Sequence, residues 1–328
     1  MRCLVCDFGG SSLKYALVDE KAIMSNNGRV PAPLASVEQF QDTVEALFNR
    51  YKEDIEGIAI SMPGYIDSDT GYLSESGAYS CLYGKNIIEV VSARCPVNIA
   101  VENDGKCGAL AEAWNGALSD CKDGAVVILG SGVGGGIIKD KKIHKGKNAI
   151  AGEFSYLITD QAEMGVTSCS FMSLGMLGVT YKICKVKNLD FSVQDSADAI
   201  AYMDTLLHSQ YPKPIGTPKK IKADGKKFIE WVKAGDEQVV AIYKDFICSL
   251  AVLVHNIQIC HAPDRIVIGG GLSNVTQIFT DLKAELELFY KAAGLSKDLY
   301  AEVIKSEYAE ECNLLGAMYN YLTHYGGM

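Results

Sequence analysis

Cys3-Leu4-Val5-Cys6-Asp7-Phe8-Gly9-Gly10-Ser11-Ser12-Leu13-Lys14-Tyr15-Ala16-Leu17-Val18 reads as an apolar strand, a turn of small residues and a returning strand that stops at Asp19-Glu20-Lys21. An acidic residue, Asp7, closes the first strand at the mouth of the turn. The same grammar recurs far downstream. Residues 125–129 form an apolar strand, Gly130-Ser131-Gly132-Val133-Gly134-Gly135-Gly136 a glycine loop, Ile137-Ile138 a second strand and Lys139-Asp140-Lys141 a turn. This repetition predicts two lobes, each opening on a hairpin. A third glycine turn, Gly269-Gly270-Gly271, follows the apolar strand at 265–268.

Between the hairpins, Val37, Phe40, Val44, Leu47 and Phe48 have helical spacing over 36–51, and an apolar run at 55–62 reads as a buried strand. Helix followed by strand predicts an α/β layer architecture. A strand at 97–101 runs into a helix at 104–115, so Asp104 stands at a strand-to-helix junction, where open α/β sheets bind ligands. A long helix is expected over 239–258 and a last one over 313–324 that packs back onto the first lobe. Residues 211–227, rich in Pro and Lys, read as a solvated loop leading into a helix. The expected division is a small lobe, 1–117 plus 312–328, and a large lobe, 118–311.

Length and composition bound the function. A chain of 328 residues exceeds one ordinary core, and 48% hydrophobic with 22% charged residues suits a globular enzyme. A formal charge of −9 gives no reason to expect nucleic acid, whose phosphates are bound through excess Lys and Arg. The apolar start is too short for a secretory signal and no stretch reads as a membrane span, which predicts a cytoplasmic protein. The 11 cysteines lie among apolar neighbours, as at Cys248, Cys260 and Cys312, and read as reduced core thiols. Cys3 and Cys6 share a strand at a spacing that points them to opposite faces, which argues against shared redox or metal chemistry.

Glycine turns at strand ends let backbone N–H groups converge on phosphate oxygens. Any one of these turns is equally an ordinary turn, and none has the G-x-x-x-x-G-K-[ST] pattern. Phosphoryl transfer to an alcohol needs positioning, a metal to neutralise developing charge and a carboxylate to accept the proton. Asp104 is the candidate base. Asp7 is the candidate Mg²⁺ residue, acting directly or through water, because Mg²⁺ prefers few carboxylates and several waters. Each has a plainer alternative: a turn cap for Asp7 and a helix N-cap for Asp104.

Asp7 through Lys14, Ser61-Met62-Pro63-Gly64-Tyr65-Ile66-Asp67, Glu102-Asn103-Asp104-Gly105-Lys106-Cys107, Leu129 through Ile137, Ala151-Gly152-Glu153 and Gly269-Gly270-Gly271 occur in that order. Together they resemble the ROK group of bacterial sugar kinases and sugar-responsive repressors, over nearly the whole chain. The resemblance implies a two-lobed α/β fold of the actin/hexokinase (ribonuclease H-like) class, with the active site in the interlobe cleft. It implies ATP and Mg²⁺ as cofactors, a sugar or glycoside as small-molecule substrate, no membrane partner and a homodimer. Asp104 is then the general base. Gly77, Ala78, Asn103, Asp104, Glu153 and Tyr156 face the sugar. Asp7, Gly9, Gly10, Ser11, Ser12, Lys14, Gly130, Ser131, Gly132, Gly134, Gly270 and Gly271 line ATP.

Two departures narrow the resemblance. Many members carry a cysteine-rich zinc cluster after A-G-E, but Gly165-Val166-Thr167-Ser168-Cys169-Ser170-Phe171-Met172 offers one cysteine, so no zinc site is expected. The histidine that usually follows A-G-E is Tyr156 here. These features are most similar to the β-glucoside kinase branch, which implies the 6-hydroxyl of a β-glucoside such as cellobiose as acceptor. Glucose and N-acetylmannosamine are the alternatives. From another class, a repressor would need an N-terminal helix-turn-helix for which the chain shows no room, and a non-catalytic sugar-binding protein stays open.

Overall fold

Strand β1 (Arg2–Phe8) is apolar on both faces, and its alternation sorts the chain's first unit into two cores. Leu4, Cys6 and Phe8 face one cluster, Cys3 and Val5 the other, so the two cysteines do point apart. The computed structural model describes residues 1–160, 165–188, 190–191, 220–221, 225–308 and 311–327. Most of the expected 211–227 loop lies outside the described residues. Two compact units are present: Met1–Lys122 with Gly135–Gly152 and Glu307–Met328, and Asp123–Gly134 with Glu153–Ser306.

In the first unit, β2 (Ser12–Asp19) and β3 (Met24–Pro31) continue β1 as an antiparallel meander. On the other side of β1, β4 (Gly57–Met62) and β7 (Asn98–Asn103) pair in parallel, giving the order β3-β2-β1-β4-β7. A small hairpin, β5 (Tyr65–Asp67) and β6 (Tyr72–Glu75), leaves the end of β4. One sheet face carries Leu13, Leu17, Ile58, Ile60, Ile99 and Val101, and packs with Phe40, Val44, Leu47 and Phe48 of α1 (Val37–Tyr51) and Ile87 and Val91 of α2 (Ile87–Ser92).

The opposite face is built from small residues, Ala16, Ala59 and Ala100, which lets two helices lie close to it. These are α3 (Asp104–Asn115) and the last helix of the chain, α9 (Cys312–Tyr325), which crosses α3 and rests on β1, β4 and β7. The crossing is set at Gly316, where a Cβ would lie 1.7 Å from the Cys107 carbonyl oxygen.

The second sheet has the order β10-β9-β8-β13-β14, the arrangement of the first sheet repeated: an antiparallel hairpin followed by parallel strands. Its strands are β8 (Gly124–Leu129), β9 (Val133–Lys139), β10 (Lys142–Ile143), β13 (Arg265–Gly269) and β14 (Glu302–Lys305). β9 begins in the second unit, and its later residues, with β10, count with the first. A two-residue ladder joins β11 (Asp190–Phe191) to β12 (Lys220–Ile221). The glycine loop is shorter than the sequence predicts: Gly134, Gly135 and Gly136 already belong to β9.

The helices of the second unit are α4 (Ser170–Leu174), α5 (Met176–Val186), α6 (Gly225–Lys233), α7 (Glu237–His261) and α8 (Thr276–Ala293). Contrary to the sequence expectation, α7 is long and apolar enough to cross a membrane by length and composition alone. Half of that stretch is buried, and the helix packs against α4, α5, α6 and α8 as the unit's core helix. Cys248 and Cys260, expected inside, lie on its exposed side, because periodicity along an almost uniformly apolar helix does not mark which flank meets solvent.

Gly316→Ala should force α9 off α3. Overpacking of this kind costs about 2–3 kcal/mol, to be read from the midpoint of urea unfolding; an unchanged midpoint would contradict the crossing.

Candidate active site

Asp104 is placed by the end of a strand and the start of a helix. β7 finishes at Asn103, whose extended backbone (φ −62°, ψ 143°) makes it the N-cap of α3. The sequence allowed Asp104 that role. The structure assigns it to Asn103, whose Oδ1 accepts the Lys106 N–H at 3.1 Å. The same amide donates through Nδ2 to the Gly64 carbonyl at 3.0 Å and to Asp104 Oδ1 at 3.1 Å. Gly105 N–H is a second donor to that same Oδ1, at 2.8 Å. Both amide hydrogens of Asn103 are therefore engaged, one holding the Gly64 carbonyl and the other orienting Asp104, which itself is half-buried. Gly105 is required sterically, since a Cβ there would lie 2.6 Å from the Gly135 nitrogen.

Beneath this turn lies Glu102, fully buried, which accepts from Asn103 N–H at 2.8 Å and from Ser68 Oγ at 2.9 Å. Burial pushes its carboxyl above the usual carboxylate range. The Asn103 N–H, Lys145, Lys106 and Ser68 all oppose that rise. Lys106 is fully buried as well. Motif position alone gave no sign that Glu102 and Lys106 both go inside.

Asp7 stands at the end of β1, paired in register with Lys14 on one side and Ser61 on the other. Its Oδ1 accepts from Ser61 Oγ at 2.9 Å and from Asn313 Nδ2 at 3.1 Å. Burial raises its pKa against these two donors and the Lys14 charge. Asn313, at the start of α9, was not foreseen, because nothing local ties it to a residue 306 positions earlier. The turn itself is held by Gly9 N–H to the Ser12 carbonyl, 3.0 Å, and by Tyr79 OH to the Gly9 carbonyl, 2.9 Å. Ser11 is exposed and Ser12 half-buried. A Cβ on Gly10 would lie 3.8 Å from Ala78 Cβ, and one on Gly77 3.0 Å from Pro63. In the first unit, Gly10 thus lies near Ala78, Gly77 near Pro63, and Gly64 is bonded to Asn103 beside Asp104.

One carboxylate with hydroxyl and amide neighbours suits Mg²⁺ that keeps most of its waters, and Asp7 is the residue that would hold it. Among the described residues no group of three or more His, Cys, Asp or Glu is placed to hold a metal.

In the second unit the turn after β8 closes through Gly130 N–H to the Gly132 carbonyl at 3.0 Å. Met176 and Leu177 N–H, at the start of α5, bond the Gly130 and Ser131 carbonyls, each at 3.0 Å. Gly134 lies in β9 just beyond it. Gly270 follows β13, the neighbour of β8, with φ +87°, and a Cβ there would strike the Leu129 carbonyl at 2.3 Å; only glycine suits both conditions. Gly271 faces open space. Glu153 is half-buried at the start of the short turn Phe154–Tyr156, and Tyr156 is 53% exposed.

The model of the ROK family matches residues 3–323. The chain is 26% identical over 324 residues to a β-glucoside kinase of Listeria innocua, covering 98% of each. It is 27% identical over 326 residues to an N-acetyl-D-glucosamine kinase of Vibrio parahaemolyticus, covering 96% of this chain and 98% of that one. A Streptomyces griseus glucokinase of the ROK family, solved with glucose and AMPPNP, superposes with a TM-score of 0.72 at 20% identity, over 97% of this chain and 98% of that one. The fold is the two-lobed α/β fold of the actin/hexokinase class.

Glu102 sets a pH dependence. A folded carboxyl with a raised pKa holds its proton more tightly than the unfolded chain, so its contribution to stability is fully present below about pH 4.3 and is lost as pH rises through the folded value. Glu102→Gln removes that contribution. The melting temperature of the wild type should fall more steeply from about pH 4 to 7 than that of the variant; parallel profiles would contradict the burial of an ionisable Glu102.

Proposed function

The chain belongs to the ROK family and is an ATP-dependent sugar kinase of that type, and we propose that Asp104 is the base that accepts the proton of the attacking hydroxyl. The orientation of its carboxylate by Asn103 and Gly105 carries this reading. The hydroxyl oxygen bonds to the γ-phosphorus as the bond to the β-phosphate oxygen breaks, ADP leaves, and the proton passes to Asp104. With the Gly9 and Gly130 N–H groups closing their own turns, the backbone N–H groups of Gly10, Ser131 and Gly132 spread the charge on the transferred group. Mg²⁺ held at Asp7, through water, would neutralise charge between the β- and γ-phosphates. Gly77, Ala78 and Glu153 supply acceptor-side contacts, and the turn at Gly270-Gly271 the nucleoside side.

For the acceptor, the primary 6-hydroxyl of glucose or of an N-acetylhexosamine is the favoured reading, since N-acetyl-D-glucosamine kinases recur among relatives matched over most of the chain. A β-glucoside is the second reading. It is favoured by Tyr156, whose exposed ring offers an apolar platform where the family usually has histidine, and by two β-glucoside kinases among the relatives.

Coupled ADP release with glucose, N-acetylglucosamine, N-acetylmannosamine and cellobiose decides among them. The wild type should turn over at least one monosaccharide, and Asp104→Asn should lose about 10²- to 10⁴-fold in kcat with an unchanged circular dichroism spectrum. A folded Asp104→Asn enzyme of near wild-type rate would refute the assignment.

A further inference from the structure

We propose that the Ser155 hydroxyl is a positioning clamp that holds the segment carrying Glu153 and Tyr156 in register with the second phosphate turn; this rests on the kinase reading above. Ser155 Oγ donates to the Val133 carbonyl at 2.6 Å and accepts the Val133 N–H at 3.4 Å. One side chain thereby makes the pair of bonds that a neighbouring strand residue would make to Val133. Val133 is the residue directly after Gly132, so the clamp grips the exit of the turn itself. Gly132 lies beside it, its absent Cβ 3.8 Å from the same Oγ and 3.1 Å from the Phe171 ring.

The other side of the segment is pinned to α4. Ser170, fully buried, donates through Oγ to the Phe154 carbonyl, and its backbone N–H bonds the Leu157 carbonyl at 2.8 Å. Two residues further on, Thr159 and Ser173 share a hydrogen bond between their hydroxyls at 2.6 Å. Phe154 anchors the turn apolarly at 3% exposure. From α4 the chain passes through Gly175 into α5, whose first N–H groups bond the Gly130 and Ser131 carbonyls. The circuit closes within the second unit: phosphate turn, Ser155, Phe154, Ser170, α4, start of α5, phosphate turn. Hydroxyls thus bind together the stretch that runs from Phe154 to Ser173 on either side of Cys169.

A closed ring of short bonds fixes the distance between Glu153 and the turn that cradles the transferred phosphate. Binding of the sugar depends on that distance, because Glu153 is the group of this segment that meets the acceptor, and a misplaced polar partner weakens its hydrogen bond. Ser155 touches neither sugar nor phosphate in this scheme. It acts through the backbone of Val133 and of its own neighbours.

Steady-state kinetics of full-length Ser155→Ala and Ser155→Thr test this against wild type, using the sugar that wild type turns over best. Loss of one hydrogen bond of ordinary strength predicts a sugar KM about 3- to 10-fold higher in Ser155→Ala, an ATP KM within about twofold of wild type, and recovery in Ser155→Thr, which keeps the hydroxyl. Hydrogen exchange at the Val133 amide should quicken in Ser155→Ala alone. A purely structural serine would lower the melting temperature and the active fraction and leave the sugar KM unmoved, and that outcome overturns the clamp while the kinase reading stands. A wild type inert toward every sugar overturns both. Should Ser155→Ala fail to fold, Ser155→Cys, a weaker donor of similar shape, is held to the same KM split.

Discussion

The amide of Asn103 is the interaction that organises the junction of β7 and α3. A helix that starts at the end of a buried strand leaves orphan N–H groups, and one of them, on Lys106, is taken by Asn103 Oδ1. Because a carboxamide offers an acceptor and two donors in one plane, capping the helix leaves two N–H groups with fixed directions. One reaches the Gly64 carbonyl and the other Asp104 Oδ1. Helix initiation, attachment of the loop after β4 and aiming of the carboxylate are therefore one event. Aspartate could cap the helix equally well but would bring no donors for Gly64 or Asp104. That is a physical reason for the order Asn-Asp at this junction.

Much of this was legible in the sequence where the information is local. The hairpins around Asp7 and Gly130, the strand-to-helix junction at Asp104 and the opposed faces of Cys3 and Cys6 follow from period and turn chemistry within a dozen residues. What escaped the reading depends on partners distant in the chain or on side-chain detail. Asn313 meets Asp7 only because α9 returns to β1. Gly134 is a strand residue because β9 begins at Val133, and glycine content alone does not separate a loop from a strand under close approach. Asn103 and Asp104 compete for one capping role, and propensity ranks them equal. Ser155 carries no motif at all, and its two bonds to Val133 appear only once the fold places the segments together.

The two units reach their functional geometry by the same means. In each, a hairpin turn of small residues precedes parallel strands whose ends present backbone amides, and polar side chains from later in the chain then fix the turn: Asn313 and Tyr79 in the first, Ser155 in the second. The internal repetition of sheet order thus supplies two similar turns, which the proposed function assigns to phosphate, while asymmetric additions bring the side chains it assigns to the acceptor. Asp104 belongs to one set of additions and Glu153 to the other.

The most direct test of the central claim is a crystal structure of the protein with its sugar and a non-hydrolysable ATP analogue. The account predicts the acceptor hydroxyl oxygen about 2.6–3.2 Å from the Asp104 carboxylate, with Asn103 still bonded to Asp104 and Gly64. An acceptor hydroxyl seated against a different base, or an Asn103 amide turned away from Asp104 onto the sugar, would contradict it.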